Sequence, residues 1–340
     1  MPAENTARSE QTPERAVERE RGERGGAGGR LPRWAWRGGP LLNLGALLSR
    51  RGGARLCQLG LGGAVLTLLL RVTGHTGAPY GWLCAAVWAG CLAASLALVL
   101  LEVTRLHACL SVSWGDLTAA HAAVATLLQA GATALYAVYT LLPGCGWGAC
   151  GLWPYRVALG VCSGACGLAY AAEVLLPARP PAYMATPPGL LKAAQACVGG
   201  VVLGALANGS EPSRPLPARV CVGVYAVCFA TSLLAIGLAV AGRAGAANTD
   251  RALAAYALLA TLLYLGASVA WPLVSFDARY GGAPARPPGC PRWGGRGRCP
   301  WDARLLVAVS GCLNLLLYLA DLLWVSSCPR PVSRPALQLV

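Results

Sequence analysis

Residues 80–102, YGWLCAAVWAGCLAASLALVLLE, decide the fold class, because they form an apolar stretch whose one charged residue, Glu102, stands at its end. About 20 apolar residues are the length of a helix that crosses a bilayer. Seven other stretches have this character, at residues 54–74, 116–142, 154–176, 190–208, 218–242, 252–274 and 303–325. We therefore predict an all-α, polytopic membrane protein with eight transmembrane helices.

The overall composition favours the same class. Of 340 residues, 56% are hydrophobic and 12% are charged, whereas a soluble globular chain has about 25% charged residues. This excludes a cytosolic enzyme, a secreted disulfide scaffold and a disordered chain. The net charge of +14 comes from arginines in tails and loops, which indicates topology signals and anionic-lipid contact rather than a nucleic-acid partner.

Two tails flank the apolar stretches. Within residues 1–53, the stretch from Glu10 to Arg30 alternates arginine and glutamate and runs into glycine-rich sequence. It has little to bury, so we predict that residues 1–53 form a disordered cytoplasmic tail. Residues 326–340 are predicted to form a short cytoplasmic tail at the other end.

The two halves of the chain repeat each other. RLCQLGLGGAVL, beginning at Arg55, matches KAAQACVGGVVL, beginning at Lys192, and the same offset of 137 residues carries Ser95 onto Ser232. In the last stretch the offset is 148, so that Tyr170 and Glu173 fall on Tyr318 and Asp321. We predict two four-helix units, residues 54–176 and 177–325, inserted in the same orientation.

Charged residues within the apolar stretches occupy equivalent places in the two units. Glu173 and Asp321 lie near the ends of the fourth and eighth stretches, and Arg55 and Lys192 lie near the starts of the first and fifth. A buried charge is usually neutralised by a partner. We therefore predict two ion pairs, Arg55 with Glu173 and Lys192 with Asp321, each joining the last helix of a unit to its first.

The cysteines give a second set of expectations. Most of the 15 stand singly in apolar stretches, where cysteine behaves as a small hydrophobic residue. Cys145 with Cys150, and Cys290 with Cys299, share loops and are candidate disulfides. Cys109 and Cys328 lie at membrane edges and are weak palmitoylation candidates.

The loop cysteines also favour one topology. Basic residues near the stretches divide almost evenly between the two sides, so charge alone does not orient the chain. Both cysteine pairs lie outside the cell only if the termini are cytoplasmic, and the weak glycosylation candidate Asn208 lies on that same side. We predict a multi-pass protein, at the plasma membrane, with both termini cytoplasmic.

Several motifs resemble those of a known family. They are Ser113-Trp-Gly-Asp116, Tyr183-Met-Ala-Thr186, Phe276-Asp-Ala-Arg-Tyr-Gly281 and Asn314-Leu-Leu-Leu-Tyr318. The chain resembles the myeloid-associated differentiation marker family over about residues 41–330. The resemblance implies two tandem MARVEL bundles of four helices, no catalytic residues and an association with ordered, cholesterol-rich membrane.

The function that we expect is therefore non-enzymatic, without a cofactor or metal. The protein is expected to organise ordered membrane, membrane apposition or trafficking, with lipids and other membrane proteins, or further copies of itself, as partners. Two alternatives stay open: a transporter or channel with a site between the bundles, and a junctional adhesion protein acting through the arginine-rich loop that contains Cys290 and Cys299.

Overall fold

The computed structural model of the chain describes residues 43–72, 79–141, 151–176, 182–208, 216–243, 247–290 and 299–327. These contain eight long helices: α1 Arg50–Arg71, α2 Pro79–Val103, α3 Trp114–Tyr136, α4 Trp153–Leu175, α5 Pro187–Asn208, α6 Leu216–Val240, α7 Ala247–Phe276 and α8 Pro300–Ser327. Short 3₁₀ helices cover Leu44–Ala46, Leu106–Cys109, Tyr183–Ala185 and Ala278–Tyr280, and α3 continues into a π-helical turn, Ala137–Leu141. The predicted all-α class is confirmed.

The starts of the helices follow from local sequence. A proline is tolerated in the first turn of a helix, because the N–H group that it lacks would have no partner within the helix. Helix α1 has no such proline, and Ser49 is its N-cap residue. The Oγ of Ser49 accepts a hydrogen bond from the backbone N–H of Gly52 at 3.0 Å, as N-cap side chains do. Prolines stand in the first turn of five helices, at Pro79, Pro154, Pro187, Pro217 and Pro300.

Seven of the eight long helices, all except α3, are long and apolar enough to cross a membrane. The first helix is among the seven, although Arg55 and Arg71 shorten its uncharged part. Helix α3 falls outside this group because it carries polar residues such as Asp116, His121 and Gln129. Ten of its 23 residues are buried.

The helices close into two rings of four. Helices α1 and α3 each contact both α2 and α4, and α5 and α7 each contact both α6 and α8. We call α1–α4 the first bundle and α5–α8 the second bundle. Large aromatic side chains fill both interiors, among them Trp88, Tyr136 and Tyr170 in the first and Tyr225, Tyr264 and Tyr318 in the second.

The two bundles meet along α3, which contacts α5, α6 and the Tyr183–Ala185 turn. Ala119, Ala120 and Ala123 of α3 pack here in one buried cluster with Met184, Ala193 and Ala239. Small side chains let neighbouring helices in a membrane approach closely. The third helix of the first bundle is therefore also the contact to the second.

Candidate functional site

The first bundle buries an ionic cluster at one end. Arg55 is 4% exposed, and its Nε donates a hydrogen bond to Glu173 Oε1 at 2.7 Å. Its Nη1 contacts a second carboxylate, Glu102 Oε2, whose side chain is 28% exposed. Gln58 Nε2 donates to the other oxygen of Glu173 at 2.8 Å. One guanidinium on α1 thus joins α2 and α4.

The second bundle contains a simpler pair in the equivalent place. Lys192 Nζ of α5 donates to Asp321 Oδ2 of α8, and both residues are buried. Gln195 Nε2 lies 3.3 Å from the same carboxylate oxygen. Ala239 stands at the position equivalent to Glu102, so the second bundle has one carboxylate where the first has two.

A hydrogen-bonded triad lies deeper in the first bundle. Ser95 Oγ is 2.7 Å from Tyr170 Oη and 3.0 Å from His121 Nε2. Tyr170 Oη also donates to the carbonyl oxygen of Cys91 at 3.1 Å. Because the three side chains come from α2, α3 and α4, the triad ties these helices together below the ionic cluster.

The second bundle repeats this triad with one change of residue. Ser232 Oγ is 2.8 Å from Tyr318 Oη and 3.1 Å from Tyr256 Oη. Tyr256 therefore stands where the first bundle has His121, at an offset of 135 residues. The same offset matches buried residues along both helices, namely Ala122 with Ala257, Gln129 with Tyr264 and Tyr136 with Trp271.

A groove of about 340 Å³ lies between α2 and α3 of the first bundle. Its lining includes Ala86, Gly90, Ala94 and His121. At the equivalent positions the second bundle has Val227 for Gly90 and Thr231 for Ala94, which are larger, and Gly223 for Ala86, which is smaller. The outer surfaces of the two bundles therefore differ in shape, although their interiors correspond.

Sequence reasoning missed Asp116 as a contact between the bundles. Asp116 is 7% exposed, and its Oδ1 accepts a hydrogen bond from the backbone N–H of Met184 at 2.9 Å. Its Oδ2 accepts one from Ser113 Oγ at 2.6 Å, and the Ser113 N–H donates to the carbonyl oxygen of Val240 at 2.7 Å. The motif that contains Asp116 was the available signal, but nothing in it indicates Met184 as the partner.

Replacing Asp116 by alanine is expected to lower the free energy of unfolding by about 2 kcal/mol, because the Met184 N–H would stay buried without an acceptor. Thermal unfolding in lipid nanodiscs measures the change. Asp302→Ala is the matched control, since it removes a carboxylate from a part-exposed ion pair of small expected worth. Equal losses in the two variants would contradict the role given to Asp116.

The remaining residues predicted as sites are distributed along the surface and loops. The structure joins Cys290 and Cys299 in a disulfide with a Cα–Cα distance of 5.3 Å, and Cys109 is an exposed free thiol. Asn208 is the last residue of α5, and its side chain lies outside the described residues. Cys145, Cys150 and Cys328 lie outside the described residues as well.

The segment that leads to Cys290 is held next to the start of α8. Arg286 donates from Nε and Nη2 to the two carboxylate oxygens of Asp302, at 2.8 and 2.9 Å, and these hydrogen bonds raise the pKa of the Arg286 guanidinium. Trp301 Nε1 donates to the carbonyl oxygen of Ala283 at 3.0 Å. Residues 283–290 are therefore held against the end of the second bundle.

The polar groups of both bundles mostly contact each other. Among the described residues, no three His, Cys, Asp or Glu side chains are grouped so that they could hold a metal ion. Arg55, Lys192, Glu173 and Asp321 lie in ion pairs, and the hydroxyl groups of Ser95, Tyr170, Ser232, Tyr256 and Tyr318 lie in short networks. Asp116 accepts hydrogen bonds instead. What this arrangement does chemically is to join helices within a membrane.

Comparison with known proteins agrees with this architecture. The profile of the MARVEL family, described as a membrane-associating domain, matches residues 183–324. With seven apolar helices long enough to span a bilayer, the chain is a multi-pass membrane protein that contains a MARVEL domain. No solved structure matches the chain.

The relatives identify the family. Myeloid-associated differentiation marker-like protein 2 of Homo sapiens is 43% identical over 293 residues, which are 84% of this chain and 94% of the relative. The protein of that name from Xenopus laevis is 40% identical over 84% of this chain and 95% of its own length. The myeloid-associated differentiation marker of Homo sapiens is 32% identical over 82% of this chain and 87% of its own. The chain belongs to the myeloid-associated differentiation marker family, and the resemblance seen in the sequence is confirmed.

Proposed function

We propose that the protein is a non-enzymatic organiser of ordered, cholesterol-rich membrane, which clusters lipids and partner proteins around two MARVEL bundles. The observation that carries the proposal is the outer face of α2. Between the exposed Leu83 and Leu96, the exposed residues of this helix are Ala86, Ala89, Gly90 and Ala93. Over about 18 Å, at 1.5 Å per helical residue, none of the exposed residues of this face has a large side chain.

The physical argument concerns lipid packing. Saturated chains and sterols are straight and stiff, so they make more close contacts with a smooth wall than with a wall of protruding side chains. Each contact is weak, but contacts add over the length of a helix. Other outer faces, such as that of α8 with Leu313 and Leu316, carry large exposed side chains and provide an internal comparison.

Replacing Ala89 and Ala93 by phenylalanine is expected to lower the partition into the ordered phase about twofold, because a few lost contacts are worth a few tenths of a kcal/mol. The measurement is the distribution of a fluorescent fusion between ordered and disordered phases of plasma-membrane vesicles.

The matched control replaces Leu313 and Leu316 by phenylalanine, on a face that is already rough. This pair should leave the partition unchanged. If the α2 variant partitions like the unmodified protein, or if both variants lose the same amount, the smooth face is not the cause.

We also propose that α1–α4 form a first MARVEL unit, residues 54–176, beside a second unit of residues 177–325. The support is the correspondence of the two rings: an ionic cluster at the same end and a serine–tyrosine triad at the same depth. In this proposal Arg55 with Glu173, and Lys192 with Asp321, clasp the last helix of each unit to its first.

The proposed location is the plasma membrane with both termini in the cytoplasm. A disulfide between Cys290 and Cys299 suits the oxidising side of a membrane, which supports an extracellular position for the loop between α7 and α8. The two ionic clusters lie at the opposite ends of the bundles and would then face the cytoplasm.

A transporter with a site between the bundles has less support. The described contacts along that seam come mainly from alanines and other apolar side chains, such as Ala120, Ala123 and Ile236. A substrate pathway needs polar groups that line a cavity near the middle of the membrane. The organiser is therefore the function that the structure supports best.

A further inference from the structure

The loop between α2 and α3 exposes apolar side chains beyond the end of a membrane span. Leu106 is 54% exposed and Leu110 is 43% exposed, and both follow the last residue of α2, Val103. Exposed leucines within a span face lipid, but these two belong to the short Leu106–Cys109 helix and the residue after it. They form an apolar edge at the membrane surface.

The loop is held in one arrangement by His107. Its Nδ1 lies 3.2 Å from the carbonyl oxygen of Leu101, and its ring packs on Trp114 with a centroid distance of 4.9 Å. His107 therefore ties the loop to the last turn of α2 and the first turn of α3. The two leucines are presented by a fixed scaffold.

Arg105 occupies a backbone conformation that suits glycine better. Among the described residues, it alone of the non-glycine residues has a positive φ, 59°, a left-handed conformation that L-residues rarely adopt. Its side chain is exposed. An exposed arginine at a position that favours glycine points to a function of the guanidinium rather than of the backbone.

The charge around this loop is positive. The N–H of Asn43 donates to the carbonyl oxygen of Val103, and the N–H of Ser113 to that of Val240. These bonds bring the loop close to the start of α1, where Arg50 is exposed, and to the end of α6, where Arg243 is exposed. The acidic side chains described at this end all have partners: Glu102 and Glu173 pair with Arg55, Asp321 pairs with Lys192, and Asp116 accepts hydrogen bonds.

We propose that residues 105–110 form a docking surface for anionic phospholipid. Arg105 binds the headgroup phosphate and carboxylate, and Leu106 and Leu110 insert among the upper parts of the acyl chains. Charge complementarity identifies the lipid class, since basic residues at a membrane surface attract anionic headgroups. The inference requires only that the chain spans a membrane, and it is independent of any preference for the ordered phase.

The test uses the full chain in nanodiscs of phosphatidylcholine mixed with phosphatidylserine, and native mass spectrometry counts the lipids of each kind that stay bound. Arg105→Gly should lower the retained ratio of phosphatidylserine to phosphatidylcholine about fivefold, the effect of one basic residue at the surface. Leu106→Ser with Leu110→Ser should lower the retention of both lipids.

The control is Arg71→Gln, which removes an exposed arginine from the opposite end of α1, away from residues 105–110, and should lower the ratio less than Arg105→Gly does. Unfolding in pure phosphatidylcholine separates binding from folding, because glycine suits the backbone at residue 105 and Arg105→Gly should be at least as stable as the unmodified protein. An unchanged ratio in Arg105→Gly, an equal fall in Arg71→Gln, or full lipid retention in the leucine variant would overturn the proposal.

Discussion

Replacing Asp321 by alanine is expected to lower the free energy of unfolding by about 3–5 kcal/mol, because it leaves Lys192 buried without a counter-charge. Lys192 is 3% exposed, and its other described contact is the face of the Tyr256 ring, with Nζ at 5.2 Å from the ring centroid. The attraction between an ammonium group and an aromatic ring is much weaker than the stabilisation that a buried carboxylate provides. The fraction of folded protein at the cell surface and thermal unfolding in nanodiscs both measure the loss.

The double variant Lys192→Met with Asp321→Leu is the decisive control. Replacing a whole buried ion pair by apolar side chains of similar volume is often neutral or stabilising. The double variant should therefore regain most of the stability that Asp321→Ala loses. If Asp321→Ala and Lys192→Ala both fold and reach the surface normally, the pair does not clasp α5 to α8.

Replacing Arg55 by methionine is expected to cost at least as much, about 3–5 kcal/mol, because two carboxylates lose their cation. Glu173 is 5% exposed and keeps only the Gln58 amide as a described hydrogen-bond donor. Glu102, with its side chain 28% exposed, can turn towards water. Most of the loss should therefore arise at Glu173.

This difference between the two carboxylates gives a sharp rescue experiment. Adding Glu173→Gln to Arg55→Met should restore more stability than adding Glu102→Gln, as measured by thermal unfolding in nanodiscs. Rescue by Glu102→Gln alone would mean that the part-exposed carboxylate, rather than the buried one, depends on Arg55.

The helices and the correspondence between the two halves could be predicted from the sequence, because the first follow from apolar stretches and the second from an internal repeat. Apolar stretches of bilayer length predict helices whatever their neighbours are. The repeat matched Arg55 with Lys192 and Glu173 with Asp321, and all four positions lie at the same end of their units, so that each basic residue could be paired with an acidic one.

Other contacts could not be derived in this way. Glu102 was hidden because the repeat places Ala239 at its equivalent position, so comparing the halves gave it no counterpart. The third helix matches the seventh at a different offset, 135 residues, and the comparison of the halves at offsets of 137 and 148 passed over it. The structure shows this offset directly, because His121 and Tyr256 occupy the same place in two triads. Asp116 accepts a hydrogen bond from the backbone N–H of Met184. Because every residue except proline has such a group, the sequence could not indicate which residue is the partner.

The position of α3 has a consequence for how the chain is made. A nascent chain enters the membrane from its N-terminus, and α3 emerges before α5, α6 and Met184, which later cover one of its faces. Until then Asp116 lacks its backbone donor, and Ala119, Ala120 and Ala123 have no neighbour from the second bundle. Helix α3 is also the long helix outside the seven that are apolar enough to cross a membrane, so we expect its final packing to form only after the second half of the chain has begun to be synthesised.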